Sequence, residues 1–174
     1  MKTYSRYLLV VPFLMFLLVS CGYYNPYVYS GPEKVIYITN WKNRTSELGL
    51  DSDIYQSLVR WFQKSGSIKI SKQKEGADLV LAGEVVSISI PSLSYGAGNT
   101  TSEIKVKLTV RYILKDLTSG KVVMEVPKEQ WTEGYLVGAS SSETSDNQDE
   151  AIKTIIDDLS QKIYQQTLVE LPKL

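Results

Sequence analysis

Between Glu103 and Leu114 the sequence alternates with a period of two. Ile104, Val106, Leu108, Val110, Tyr112 and Leu114 fall on one side, and Glu103, Lys105, Lys107, Thr109 and Arg111 on the other. Successive side chains of a strand point to opposite faces, so this pattern predicts an antiparallel strand covered by protein on one face and wet on the other. Asp116-Leu117-Thr118-Ser119-Gly120 reads as a turn, after which Lys121 to Val137 returns as the partner strand, with Val122, Met124 and Val126 continuing the buried row. Pro127 should bend that strand or keep it at an edge, because proline cannot donate to a ladder.

The other segments supply what such a sheet needs for a cover. Lys34 to Asn40 is β-branched and aromatic and predicts a first strand, followed by a polar loop from Trp41 to Gly49. Leu50, Ile54, Leu58, Trp61 and Phe62 recur at helical spacing, which predicts a helix over 52–64 capped by Asp51 or Ser52 and stopped by Gly66. Ile68 to Ser71 is a short strand. Ala77 to Ile90 is a long one, in which Val86, Ile88 and Ile90 share a face and Gly83 is expected to mark a bulge. Pro91 to Thr101 and the Ser/Thr-rich stretch from Ala139 to Asn147 read as loops, the second mobile. A closing helix over 149–170 carries Ile152, Ile156, Leu159, Ile163 and Thr167 on one stripe, with Asp149 and Glu150 in its first turn where the helix dipole favours them. Asp157 and Asp158 stand about 100° apart around that helix, so they read as a solvated face rather than a carboxylate pair. The expected fold is α+β: a two-layer α/β sandwich with a mainly antiparallel sheet of about four to five strands and two helices packed on one face.

The N-terminal segment is of a different kind. Lys2 and Arg6 precede an apolar run from Tyr7 to Val19, which has the length of a secretory leader and is short for a membrane span. It ends in Leu18-Val19-Ser20-Cys21, which looks like the processing site of a bacterial lipoprotein. The expected organisation is therefore a signal peptide over 1–20, a lipidated tether over 21–33, and a single α/β domain over 34–174. Cys21 would carry a diacylglyceryl group and an N-acyl chain, since several buried chains make anchoring stable. Gly22 rather than aspartate after the cysteine favours the outer membrane. The tether holds Tyr23, Tyr24, Tyr27 and Tyr29. These rings suit either a lipid interface or a partner surface.

Composition removes several functions. The chain has no histidine, so the usual general base and the commonest metal ligand are missing. Its single cysteine excludes an intrachain disulfide or a cysteine-based zinc site. Asp51, Asp53 and Asp78 form no metal spacing. The 19 basic and 19 acidic residues balance, unlike a nucleic-acid binder. No enzyme activity, no metal and no cofactor beyond the attached lipid is expected.

Cys21-Gly22-Tyr23-Tyr24, the stretch Ile36 to Leu58 with Asn43-Arg44-Thr45 and Leu48-Gly49-Leu50, the strand Ala77-Asp78-Leu79-Val80-Leu81-Ala82-Gly83-Glu84-Val85, the link Leu114 to Val122 and the closing helix together resemble the lipopolysaccharide-assembly lipoproteins of the LptE family. The resemblance spans nearly the whole mature chain. It implies a non-enzymatic part of an outer-membrane translocon that plugs and supports a large β-barrel partner of the LptD type and binds lipopolysaccharide. The alternative expectation is a lipid-anchored periplasmic module that activates or scaffolds a cell-wall or secretion complex. For lipopolysaccharide the residues themselves offer Lys105, Lys107 and Arg111, a cationic row about 7 Å apart on the wet strand face, and a second patch at Lys42, Asn43 and Arg44. The row equally fits a solvated face paired to Glu125 or Glu129, and the patch a polar turn. Trp41 and Trp131 stand in polar contexts and, with Tyr23, Tyr24 and Tyr27, are candidates for a partner interface.

Overall fold

The computed structural model describes residues 29, 31–65, 68–90 and 103–173. Cys21, Tyr23, Tyr24, Tyr27, Gly66 and the 91–101 loop lie outside them. The elements are strands β1 (Lys34–Ile38) and β2 (Lys42–Asn43), helix α1 (Leu50–Gln63), strands β3 (Ile68–Ser71), β4 (Leu79–Ser89), β5 (Glu103–Asp116) and β6 (Val122–Leu136), helix α2 (Ser141–Glu170) and a closing 3-10 turn over Leu171–Lys173.

One sheet runs β3-β1-β4-β5-β6, and β2 pairs with β4 beyond the end of β1. The three long strands are antiparallel, as their alternation requires. The short ones are not: β1 pairs in parallel with both β3 and β4, so the sheet is mixed. The helix α1 is the crossover that makes β3 parallel to β1, as in a βαβ unit, and the link over 72–78 then brings β4 in on the other side of β1 in the same direction. Both helices pack against the sheet and each other, and Phe62 of α1 meets Tyr164 of α2 edge to face at 5.4 Å. Ile36, Ile38, Leu79, Leu81, Val85, Val106, Leu108, Val110 and Leu114 are buried beneath them with Leu50, Ile54, Leu58, Phe62, Leu159 and Ile163.

Several details depart from the sequence reading. The bulge in β4 falls between Val85 and Ser87, not at Gly83. Val85 keeps the core phase of Leu79 and Leu81; the extra residue after it leaves Val86 at 41 % exposure and turns Ile88 to the core side opposite Leu108, so Val86 does not share a buried face with Ile88. Gly83 is glycine for a different reason, since a Cβ there would run into the Trp41 ring. A register shift near Leu114 leaves Val122 exposed, outside the buried row. Pro127 is placed as expected, since β6 is an edge strand. Helix α1 starts at Leu50 after Gly49, whose φ of 89° suits glycine, and no side chain caps it.

The stretch Ala139 to Asn147 is not a mobile loop; most of it is the first two turns of α2. Ser140 caps that helix, its Oγ accepting from the Glu143 N–H at 3.1 Å, while the Glu143 carboxylate accepts from the Ala139 N–H at 2.7 Å. This is a capping box shifted by one residue on its return bond, and it satisfies helix-start donors that polar composition alone does not reveal. Tyr29, read as tether, is 7 % exposed and belongs to the core.

Candidate functional site

The helices cover one face of the sheet and leave the other open, and the charged positions of the long strands collect there. Glu84 of β4 sits opposite Arg111 of β5 and opposite Lys42 of β2, so the three occupy one rung across three strands. The Arg111 guanidinium donates to Glu84 Oε2 through Nη2 at 2.7 Å and Nε at 3.2 Å, and Arg44 donates to Oε1 through Nε at 2.6 Å. Arg111 and then Arg44, as donors to the carboxylate, hold Glu84 below its ordinary pKa. Beside the rung lies a groove of ≈ 360 Å³ lined by residues that include Lys42, Arg111, Ile113, Glu125 and Pro127.

The sequence-derived candidates divide accordingly. Lys42, Arg44 and Arg111 come together around Glu84. Lys105 and Lys107 share the same face further along β5 and are exposed, with no ion pair among the described residues. Arg111 does not pair with Glu125 or Glu129. Glu129 lies on the helix side, where it accepts from Lys162 of α2 and from the Tyr112 hydroxyl at 2.7 Å. Burial and that hydrogen bond raise the Tyr112 pKa. The residue missed in the sequence was Glu84. Its signal was present, because Leu79, Leu81 and Val85 face the core and Glu84 then falls on the open side.

The Asn43-Arg44-Thr45 segment is itself a built turn. Asn43 Oδ1 accepts from the Thr45 N–H at 2.9 Å and its Nδ2 donates to the Glu47 carbonyl at 2.7 Å, which holds Arg44 over Glu84. Asp78 clasps β1 to the start of β4: its carboxylate accepts from the Val35 N–H at 2.7 Å, and its own N–H donates to the Val35 carbonyl at 2.8 Å.

The tryptophans are placed differently from the expectation. Trp41 is 3 % exposed, over Gly83 and stacked on Tyr112 at 6.3 Å, so its ring is core rather than partner surface; the polar residues around it in sequence belong to the turn, not to its surroundings. Trp131 lies on the helix side, partly exposed, with the Lys162 ammonium 5.5 Å from its ring centroid. Both indole N–H groups are buried and have no hydrogen-bond partner among the described residues. Asp157 is half exposed, but it also accepts from Trp61 Nε1 at 3.0 Å and Ser57 Oγ at 3.2 Å and so ties α2 to α1. No helix among the described residues is long and apolar enough to cross a membrane.

Comparison with known proteins places this arrangement. The family profile described as LptE, Lipopolysaccharide-assembly, matches residues 34–167. No curated protein sequence matches. Among solved structures, lipoprotein B of Nitrosomonas europaea is similar at a TM-score of 0.54 and 18 % identity, covering 84 % of this chain and 90 % of that one. Rare lipoprotein B of Shewanella oneidensis aligns at 0.52 and 17 %, covering 74 % and 93 %. A protein of Xanthomonas campestris aligns at 0.59 and 13 %, covering 86 % and 91 %. At these identities the likeness is one of fold.

Proposed function

The chain belongs to the LptE family of lipopolysaccharide-assembly proteins, and from that membership we propose that it works at the outer membrane, anchored by lipid on Cys21, as the companion of an LptD-type β-barrel. In this reading it plugs and supports the barrel and binds lipopolysaccharide passing through it, and it catalyses nothing. The domain over 34–174, with Tyr29 packed into its core, is the working body, the leader over 1–20 is removed, and Cys21 carries the anchor.

The observation that carries the reading is the family match over most of the chain. The open sheet face supports it, because a face left bare by both helices and lined by Lys42, Arg44, Lys105, Lys107 and Arg111 suits an anionic amphiphile. Tyr23, Tyr24, Tyr27 and the uncovered part of Trp131 are assigned to the barrel contact, where aromatic rings supply area at low entropic cost.

The test is extraction of the acylated protein from outer membranes in mild detergent. It should bring down one large β-barrel protein, and depletion of the chain should lower surface lipopolysaccharide. Recovery of a peptidoglycan synthase, or of a homo-oligomeric pore without a barrel, would replace this reading.

A further inference from the structure

We propose that the groove beside the Lys42–Glu84–Arg111 rung is a sugar-phosphate subsite, gripping the phosphate ester of a phosphorylated sugar headgroup between Lys42, Arg44 and Arg111. The inference rests on the lipopolysaccharide reading and assigns one place in the fold to one part of the ligand.

The geometry provides three elements of such a site. The first is a fixed cation pair. Both oxygens of a single carboxylate are engaged, Oε1 by Arg44 and Oε2 by Arg111, so Glu84 holds two guanidiniums side by side. The Glu84 side chain is only 12 % exposed, while those of Arg44 and Arg111 are 60 % and 54 % exposed. The brace is therefore inside and the cations are outside. Arg44 spends Nε, and Arg111 spends Nε and Nη2. A guanidinium has five N–H donors, so both keep donors for a second acceptor. Phosphate oxygens match that fork geometry.

The second element is surplus positive charge. Lys42 lies on the same rung, is exposed, and forms no ion pair among the described residues. Neighbouring strands are about 4.8 Å apart, so Lys42 and Arg111 flank Glu84 from backbones about 10 Å apart. One carboxylate among three cations leaves the cluster net positive.

The third element is direction. Glu125 pairs in register with Ile113 and lines the groove from β6, one strand beyond Arg111. Its carboxylate repels a phosphate and accepts from hydroxyl or ammonium donors. Ile113 and Pro127 give an apolar floor for the C–H face of a sugar ring. The groove, at ≈ 360 Å³, lies near the lower end of the roughly 300–1,000 Å³ of ligand pockets, so it fits a headgroup and not a set of acyl chains. Lys105 and Lys107 lie outside it.

The experiment measures binding of full-length acylated protein to lipopolysaccharide in detergent micelles, to the same lipopolysaccharide after chemical dephosphorylation, and to inorganic phosphate. Dephosphorylation should weaken binding about tenfold or more, the scale of losing charge-assisted hydrogen bonds. Lys42→Gln, at an exposed position whose change leaves the folded contacts intact, should cost roughly three- to tenfold. The pair Arg44→Lys and Arg111→Lys, which keeps charge but loses the fork, should cost about tenfold. Wild-type binding in all these variants, with loss instead in Lys105→Gln and Lys107→Gln, overturns the subsite and leaves the lipopolysaccharide reading standing. Absence of any lipopolysaccharide binding by the wild-type protein overturns both. Inorganic phosphate binding as tightly as the lipid would mark a free-phosphate site and overturn the headgroup assignment.

Discussion

Single residues in this chain act through what lies against them rather than through their own propensity. Gly83 is required because the Trp41 ring occupies the space where a Cβ would go. Gly83→Ala should therefore destabilise the protein by about 1–3 kcal/mol, the usual cost of overpacking, read as a lower urea midpoint with unchanged slope. Two carboxylates set the acid behaviour. Arg111 and Arg44 lower the Glu84 pKa. Burial pushes Asp116 upward, but the Thr118 N–H together with the hydroxyl and N–H of Ser119 outweighs it, and the net shift is also downward. A carboxylate depressed in the folded state adds stability that is complete above its unfolded pKa, near 4, and disappears as pH falls toward the folded value. Stability should thus be insensitive to these groups near neutrality and decline below about pH 4–5. Glu84→Gln should flatten part of that decline in denaturation curves taken across the acid range; an unchanged profile would show that the arginine brackets contribute nothing.

At the level of elements, the ends of α2 and the strand pairings carry the information. The capping bonds of Ser140 and Glu143 extend α2 back to Ser141 and leave only a short connection from β6. Ser140→Ala should cost about 1 kcal/mol, and hydrogen exchange should locate the loss in the amides of residues 141–147 while those of β5 stay protected. Exchange rates in that segment already equal to those of an unstructured peptide would contradict the helix start. The sheet shows a related economy. The β4 bulge at Val85 and the shifts along β6 decide which residues are core, and Glu129 is turned toward Lys162 and Tyr112 instead of toward Arg111. Lys162→Ala would leave that carboxylate with only the Tyr112 hydroxyl and should lower stability by about 1–3 kcal/mol, checked by thermal unfolding.

For the whole molecule, the boundary of the folded body lies earlier than the first strand. Tyr29 is buried with the core, and its ring covers Gly31 closely. A chain beginning at Val28 should unfold like the full domain, whereas one beginning at Glu33 should lose about 2–4 kcal/mol, as expected for removing a buried aromatic ring. Equal unfolding midpoints would return Tyr29 to the tether. The sequence alone determined the two-layer plan, the two helices and the wet face of β5, because local periodicity of 2 or 3.6 is imposed by which face each element must bury. It also supplied Lys42, Arg44 and Arg111 as candidates, since exposed cations on a strand pattern are visible residue by residue. The tertiary structure decided what no local pattern encodes: the parallel pairing of β1, the bulge that leaves Val86 outside and turns Ile88 inward, the burial of Trp41 over Gly83, and the carboxylate of Glu84 that gathers cations from β5 and the turn after β2. Those features arise from contacts between segments distant in the chain, where register and crossover are set by the packing of the whole sheet against its helices and not by the sequence on either side.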